Sequence, residues 1–121
     1  MSLKIINFAD NKGDFFDVRL KDNPERLLEG DPRHQTTIHF SNAEANVIAG
    51  TWTATAGKFQ VAAERDEFCH IVSGKAELVD QDGHGITFVT GDTFVIPNGF
   101  DGHWNVIETT TKHFVIYKYD A

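Results

Sequence analysis

The sequence predicts an all-β protein of one domain, on three observations. From Thr36 onward the apolar residues fall in short runs divided by turn residues at regular spacing. β-Branched and aromatic residues dominate these runs, as pleated, half-buried surfaces favour. No stretch sustains a 3.6-residue apolar period over ten or more residues, so no long amphipathic helix competes. Short strands spaced in this way point to a β-sandwich or barrel.

Taken in order, the first third is mixed. Leu3–Phe8 reads as an edge strand and Pro24–Leu28 as a short helical turn. Asp22-Asn23-Pro24 and Gly30-Asp31-Pro32 are loops, because proline restricts itself and the residue before it. Strands are then predicted at Thr36–Phe40, Val47–Thr53, Lys58–Ala62, Glu67–Ser73, Lys75–Asp80, Gly85–Val89, Thr93–Ile96, His103–Glu108 and Lys112–Lys118. Asp82-Gly83 suits a tight hairpin, where glycine takes a positive φ without steric cost. Asp80-Gln81-Asp82-Gly83 resembles the start of a calcium loop but lacks the remaining ligands and the closing glutamate, so it reads as that hairpin turn. Residues 1–45 make an N-terminal arm of edge strands and loops, and residues 46–121 the barrel, within one domain.

Length and charge narrow the function. A chain of 121 residues is large enough to bury a core without staples. Acidic residues outnumber basic ones 18 to 11, a net charge of −7. No clustered basic face is available for phosphate backbones or anionic membranes, so neither nucleic acid nor a membrane is an expected partner. The single cysteine, Cys69, excludes an internal disulfide and any multi-cysteine metal site. The apolar runs are far shorter than the ~20 residues of a membrane span. Met1-Ser2-Leu3 has the look of an added leader and carries no weight. No secretory pattern is present, and a soluble cytoplasmic protein is the expectation.

Two glycine-punctuated frames carry a family likeness. One is Gly57…Glu67-x6-Gly74; the other is Gly91-Asp92-x4-Pro97-x-Gly99. They match the end of the first motif and the start of the second motif of the cupin superfamily, so the chain resembles a cupin. That resemblance implies a double-stranded β-helix, or jelly-roll barrel. Gly50-Thr51-Trp52, Gly57-Lys58-Phe59, Glu67-Phe68-Cys69, Pro97-x-Gly99-Phe100-x-Gly102-x-Trp104 and Lys112-His113 are similar to one small single-domain branch. That branch holds the ureidoglycine aminohydrolase-like and ethanolamine-utilisation-type cupins. The likeness covers roughly Gly50 to Tyr117.

The departures concern chemistry. The resemblance implies a divalent metal held by three imidazoles and a carboxylate. Counting back from Glu67, two histidine positions fall on Gln60 and Ala62, or on Val61 and Ala63; the third falls on Gly102. His103 comes one residue late, which in a strand turns a side chain to the opposite face. Only Glu67 survives of the usual ligands, so no resident metal is expected; a bound one would take Glu67 with His103 or His70.

Glu67 is the catalytic candidate. Alternation places Glu67, Cys69 and Ile71 on one face and Phe68 and His70 on the other. A carboxylate buried among apolar walls has a raised pKa and suits general acid–base work. Trp104, on the strand face shared with Gly102 and Val106 that the resemblance implies is turned inward, and Trp52 are candidate ligand contacts, each with an indole N–H to donate. Gln60, Cys69 and Tyr117 complete the ligand-binding set; Cys69 has no basic neighbour in sequence to lower its pKa. His113 shares a face with Tyr117 and both are candidates for the barrel mouth. His34, His39 and His84 read as surface residues.

Two functions follow from these residues. The first is an enzyme acting inside the barrel on a polar metabolite, nitrogen-containing if the resemblance holds, with Glu67 as acid or base. The second is a non-catalytic small-molecule sensor or scaffold with a degenerate metal site. A homodimer is expected, through sheet edges and the apolar Leu3–Phe8 segment.

Overall fold

The computed structural model describes residues 3–119; Met1, Ser2, Asp120 and Ala121 lie outside the described residues, so of Met1-Ser2-Leu3 only Leu3 is described. Among them run nine strands: β1 Asp14–Arg19, β2 Leu27–Gly30, β3 Arg33–Ser41, β4 Val47–Ala54, β5 Gly57–Ala62, β6 Asp66–Asp80, β7 Gly85–Val89, β8 Thr93–Ile96 and β9 Asp101–Tyr117. Every pairing is antiparallel. The two long strands β6 and β9 pair with each other from Asp66↔Tyr117 to Asp80↔Gly102. On its free edge β9 pairs first with β5 and then with β4; β6 pairs with β8 and then with β7. One leaf is therefore β1-β3-β4-β9-β6-β8 and the other β2-β5-β9-β6-β7, curled into an all-β barrel.

The core fills the space the leaves enclose. Ala54, Cys69 and Ile96 come from the first leaf, Phe59, Ala76, Trp104 and Val106 from the second, and Leu20 joins them. The strand residues face inward by alternation, and Leu20 enters from the 3₁₀ turn Leu20–Asp22 that follows β1. Gly74 lets β6 turn from one leaf to the other. Its φ is +106°, and a Cβ there would collide with the Thr109 carbonyl oxygen and with Thr110. The register slips around it, between Ile71 and Ala76. The sequence reads two strands on either side of Gly74; a bulge instead absorbs the break while pairing to β9 continues. The predicted strands His103–Glu108 and Lys112–Lys118 likewise merge into β9.

The N-terminal third departs further from expectation. Leu3–Phe8 carries no strand; Phe8–Asp10 is a 3₁₀ turn whose Ala9 N–H donates to Asn7 Oδ1 at 3.1 Å. The sheet edge is β1, pairing only with β3. Of Pro24–Leu28 only residues 24–26 form a turn, closed by Arg26 N–H donating to the Asn23 carbonyl at 3.0 Å; Leu27 and Leu28 already belong to β2, which pairs with β5. The Asp80–Gly83 segment is the hairpin turn between β6 and β7. There Asp80 Oδ1 accepts from the Asp82 and His84 N–H groups. No helix among the described residues is long and apolar enough to cross a membrane.

Candidate functional site

A cavity of about 330 Å3 opens into the first leaf. Strand alternation supplies its walls. On β9 the inward residues are Trp104, Lys112, Phe114 and Ile116; on β6 they are Glu67 and Cys69; on β4 Trp52 lies directly across from Lys112. His34 and Thr36 enter from β3, Phe59 and Val61 from β5.

The polar centre is a buried ion pair. Lys112 Nζ donates to Glu67 Oε2 at 2.7 Å, with both residues less than a tenth exposed. The Cys69 thiol donates to the same oxygen at 3.3 Å, and Lys112 Nζ lies 3.6 Å from Cys69 Sγ. The ammonium sits 4.6 Å from the Trp52 ring centroid and 5.4 Å from that of Trp104, within cation–π range of both. Arg65 approaches the other carboxylate oxygen at 3.9 Å.

These contacts reverse the expected titration of Glu67. Burial alone would raise its carboxyl, but the field and hydrogen bond of Lys112 outweigh burial and hold it below its ordinary range. Burial would likewise lower Lys112, and the Glu67 charge raises it instead. The pair is therefore an ionised carboxylate against an ammonium, where the sequence reading has a protonatable acid. Cys69 is pushed up to about 12 by burial first, against the pull of Lys112. It is a thiol, with no nucleophilic thiolate at neutral pH.

His34 is the second departure. It is 8% exposed, not a surface residue, because β3 begins at Arg33 and points it inward. Its ring packs edge-on against Phe59 at 4.3 Å and Trp52 at 5.2 Å. Its Nε2 is buried with no hydrogen-bond partner. Such an orphan costs about 1–3 kcal/mol. Burial first, then the charges of Arg26 and Lys112, lowers its pKa to about 4. The imidazole is neutral at pH 7.

The other candidates divide by face. Glu67, Cys69, Trp52 and Trp104 meet around Lys112. Gln60 is exposed, opposite His103, and Tyr117 is exposed on the outer face. His113 also points outward, where its ring meets Phe8 at 5.0 Å and His70 at 6.4 Å. The fault lies in the strand parity: Lys112, Phe114 and Ile116 face in, so His113 and Tyr117 face out. His39 is half-buried and bonded through both ring nitrogens, to the Lys12 carbonyl and Thr51 Oγ1. Lys112 itself is the residue that sequence reasoning missed as a site residue. The available signal was a lysine in phase with two apolar residues of a strand.

A divalent metal does not fit this donor set. The inward register on β5 is Phe59 and Val61, so the imidazole positions fall on Val61 and Ala63, which pack against the core. Gly102 lies directly across from Val61, and a Cβ there would collide with the Val79 carbonyl oxygen and the Phe100 ring. His70 and His103 lie on outward phases of β6 and β9, away from Glu67. The one carboxylate is bonded to an ammonium that would repel a cation. Among the described residues, Asp80, Asp82 and His84 do lie close enough to share an ion, but they are surface residues of the β6–β7 turn, with half-buried Asp80 already accepting two backbone N–H groups.

Comparison with known proteins bears on the barrel. Residues 42–114 match the family of EutQ-like cupin domains. No curated protein matches the chain. The EutQ protein of Clostridium difficile superposes with a TM-score of 0.66 at 20% identity, over 82% of this chain and 80% of that one. A DUF861-family protein of Thermotoga maritima is 30% identical, with a TM-score of 0.52 over 53% of this chain and 73% of its own. Ectoine synthase of P. lautus superposes at a TM-score of 0.61 with 9% identity, over 69% of this chain and 63% of its own. At 20% and 9% identity these likenesses show the fold alone.

Proposed function

The chain belongs to the family of EutQ-like cupin domains, and on that premise we propose that it is a small-molecule enzyme working inside the barrel, with Glu67 and Lys112 as an acid–base pair. The supporting observation is the buried Glu67–Lys112 contact at 2.7 Å on the wall of an aromatic cavity. A buried ion pair adds little stability over apolar packing of the same volume. Its position against a ligand-sized space favours a functional reason for it. The Glu67 carboxylate is ionised, and it accepts a proton from a bound polar metabolite once that metabolite draws Lys112 away from it. The Lys112 ammonium then faces the negative charge that develops on the substrate and can return a proton to it. Low-dielectric walls strengthen both interactions. Proton-transfer isomerisation and hydrolysis both suit this pair.

The test begins with the metabolite that co-purifies with the protein, identified by mass spectrometry. Glu67→Gln is expected to lower its turnover about 100- to 10,000-fold while binding persists. Full turnover in that variant would refute the assignment. A second reading, a non-catalytic sensor or scaffold, is favoured by one observation: Glu67 and Lys112 already satisfy each other. It predicts that the bound metabolite is returned unchanged by the unmodified protein.

We also propose a homodimer. An outward row of Val95, Phe68, Val115, Ala49 and Phe40 crosses five strands, and all but Ala49 are exposed. The N-terminal segment leaves the barrel beside it, with Phe8 tilted against His39 and edge-on to His113 and with Leu3 96% and Ile5 95% exposed. Two copies related by a two-fold axis could cover both apolar features. Light scattering that reads only monomer at micromolar concentration would refute this. A cytoplasmic location fits the lone buried thiol.

A further inference from the structure

We propose that the cavity selects a compact organic anion, with its charged group held by Arg26 and Arg65 and its body against the Trp52–Trp104 wall. The proposal rests on the reading of this cavity as a small-molecule site and is independent of whether turnover follows.

Charge is the first argument. The chain carries a net −7, yet the cavity lining holds Arg26, Arg65, Lys112 and Lys118 against one carboxylate, Glu67. Lys112 neutralises that carboxylate at 2.7 Å, and the Arg65 contact to it is loose at 3.9 Å. The ion pairs among the described residues leave Arg26 and Lys118 without an acidic partner. An acidic protein has thus gathered surplus positive charge where a ligand would enter, which attracts anions and rejects cations.

The second argument is His34. The residue lines the cavity, and its Nε2 is buried and unpartnered. Because the imidazole stays neutral down to about pH 4, Nε2 can donate to an anion as the N–H tautomer without adding charge. Size sets the third limit: about 330 Å3 is at the small end of ligand pockets. Guanidinium groups pair in a bidentate manner with either a carboxylate or a phosphate, so the two share this chemistry.

Isothermal titration on the full chain with a matched series tests the proposal: benzoate, benzamide, benzylamine and phenyl phosphate. An anion of the series is expected to bind about tenfold or more tighter than benzamide, to weaken with added salt, and to lose about tenfold in Arg26→Gln or Arg65→Gln. The tighter of benzoate and phenyl phosphate identifies the anionic group. Benzamide or benzylamine binding as well as the anions, no binding by either anion, or anion affinity unchanged in both arginine variants would overturn it. In Glu67→Gln, which removes the cavity's carboxylate, anion binding is expected to persist or tighten. A lost turnover with retained anion binding therefore bears on the acid–base reading alone, and a failed anion series bears on this proposal alone.

Discussion

The same two strands, β6 and β9, build one pair of titratable side chains inside the barrel and another outside it, one residue apart on β9 and three apart on β6. Inside, Glu67 and Lys112 form a buried ion pair. Outside, His70 and His113 stand directly opposite each other with ring centroids 6.4 Å apart. Two like groups are tolerated on the outer face because His113 can shed its charge. His113 is lowered by partial burial first, then by its neighbours His70 and His39. The inner face gives no such release, since a lone charge there has neither water nor a counter-ion. Strand parity decides which kind of pairing each residue must find.

The largest effect should come from breaking the inner pair. Lys112→Met leaves the Glu67 carboxylate buried without its ammonium and is expected to destabilise the fold by about 3–5 kcal/mol in chemical denaturation. Adding Glu67→Leu should recover most of that loss, because two apolar side chains then replace two charges. A single variant as stable as the parent, or a double variant no better than the single, would mean that the contact is not energetically coupled.

Acid should attack the inner face in two stages. His34 has its pKa lowered from 6.5 to about 4, so its contribution is complete above pH 6.5 and lost as pH falls toward 4. That loss amounts to about 3 kcal/mol. Glu67 is lowered below its ordinary 4.5, so its contribution is present above 4.5 and disappears only below it. Lys112 acts at the other end: raised above 10.5, its contribution is present below that value and lost as pH rises through the higher folded-state pKa. Stability measured from pH 7 to pH 4 should fall, and His34→Phe should flatten that fall. A variant with the parent's slope would remove His34 from the account.

The contrast between faces also explains what could be read from the chain. Thr93–Ile96 was legible because Gly91 and Pro97 punctuate its two ends, and β5 because Gly57 opens it. The shared face of Glu67, Cys69 and Ile71 followed from strand alternation. Lys112 was not legible: Val115 and Tyr117 offer nearly as apolar a phase as Phe114 and Ile116, so the sequence of β9 leaves parity open. What fixes it is the ladder to β4 and β6, in which Lys112 faces Trp52 and lies close to Glu67, 45 residues away. His34 escaped for a similar reason, since Pro32 beside it signals a loop while β3 begins one residue earlier. β1 was missed because its alternating charges, Asp14, Asp17 and Arg19, resemble a solvated loop, and only pairing with β3 makes it a strand.

The smallest effect on the folded chain should come from the outer face, and that makes it a sharp probe of association. Val115 sits in the middle of the exposed row, flanked by Phe68 on β6 and Ala49 on β4. At the strand spacing of about 4.8 Å the five-strand row is about 19 Å across, wide enough for a self-complementary contact. Val115→Lys adds a charge to this row without touching the cavity. Monomer stability is expected to stay within about 0.5 kcal/mol of the parent, because a lysine there can reach water. The dimer should dissociate, since two copies would place two ammonium groups near one axis with no carboxylate in the row to answer them. A variant that remains dimeric by light scattering would move the interface elsewhere, with the free edge of β1 the next surface to test.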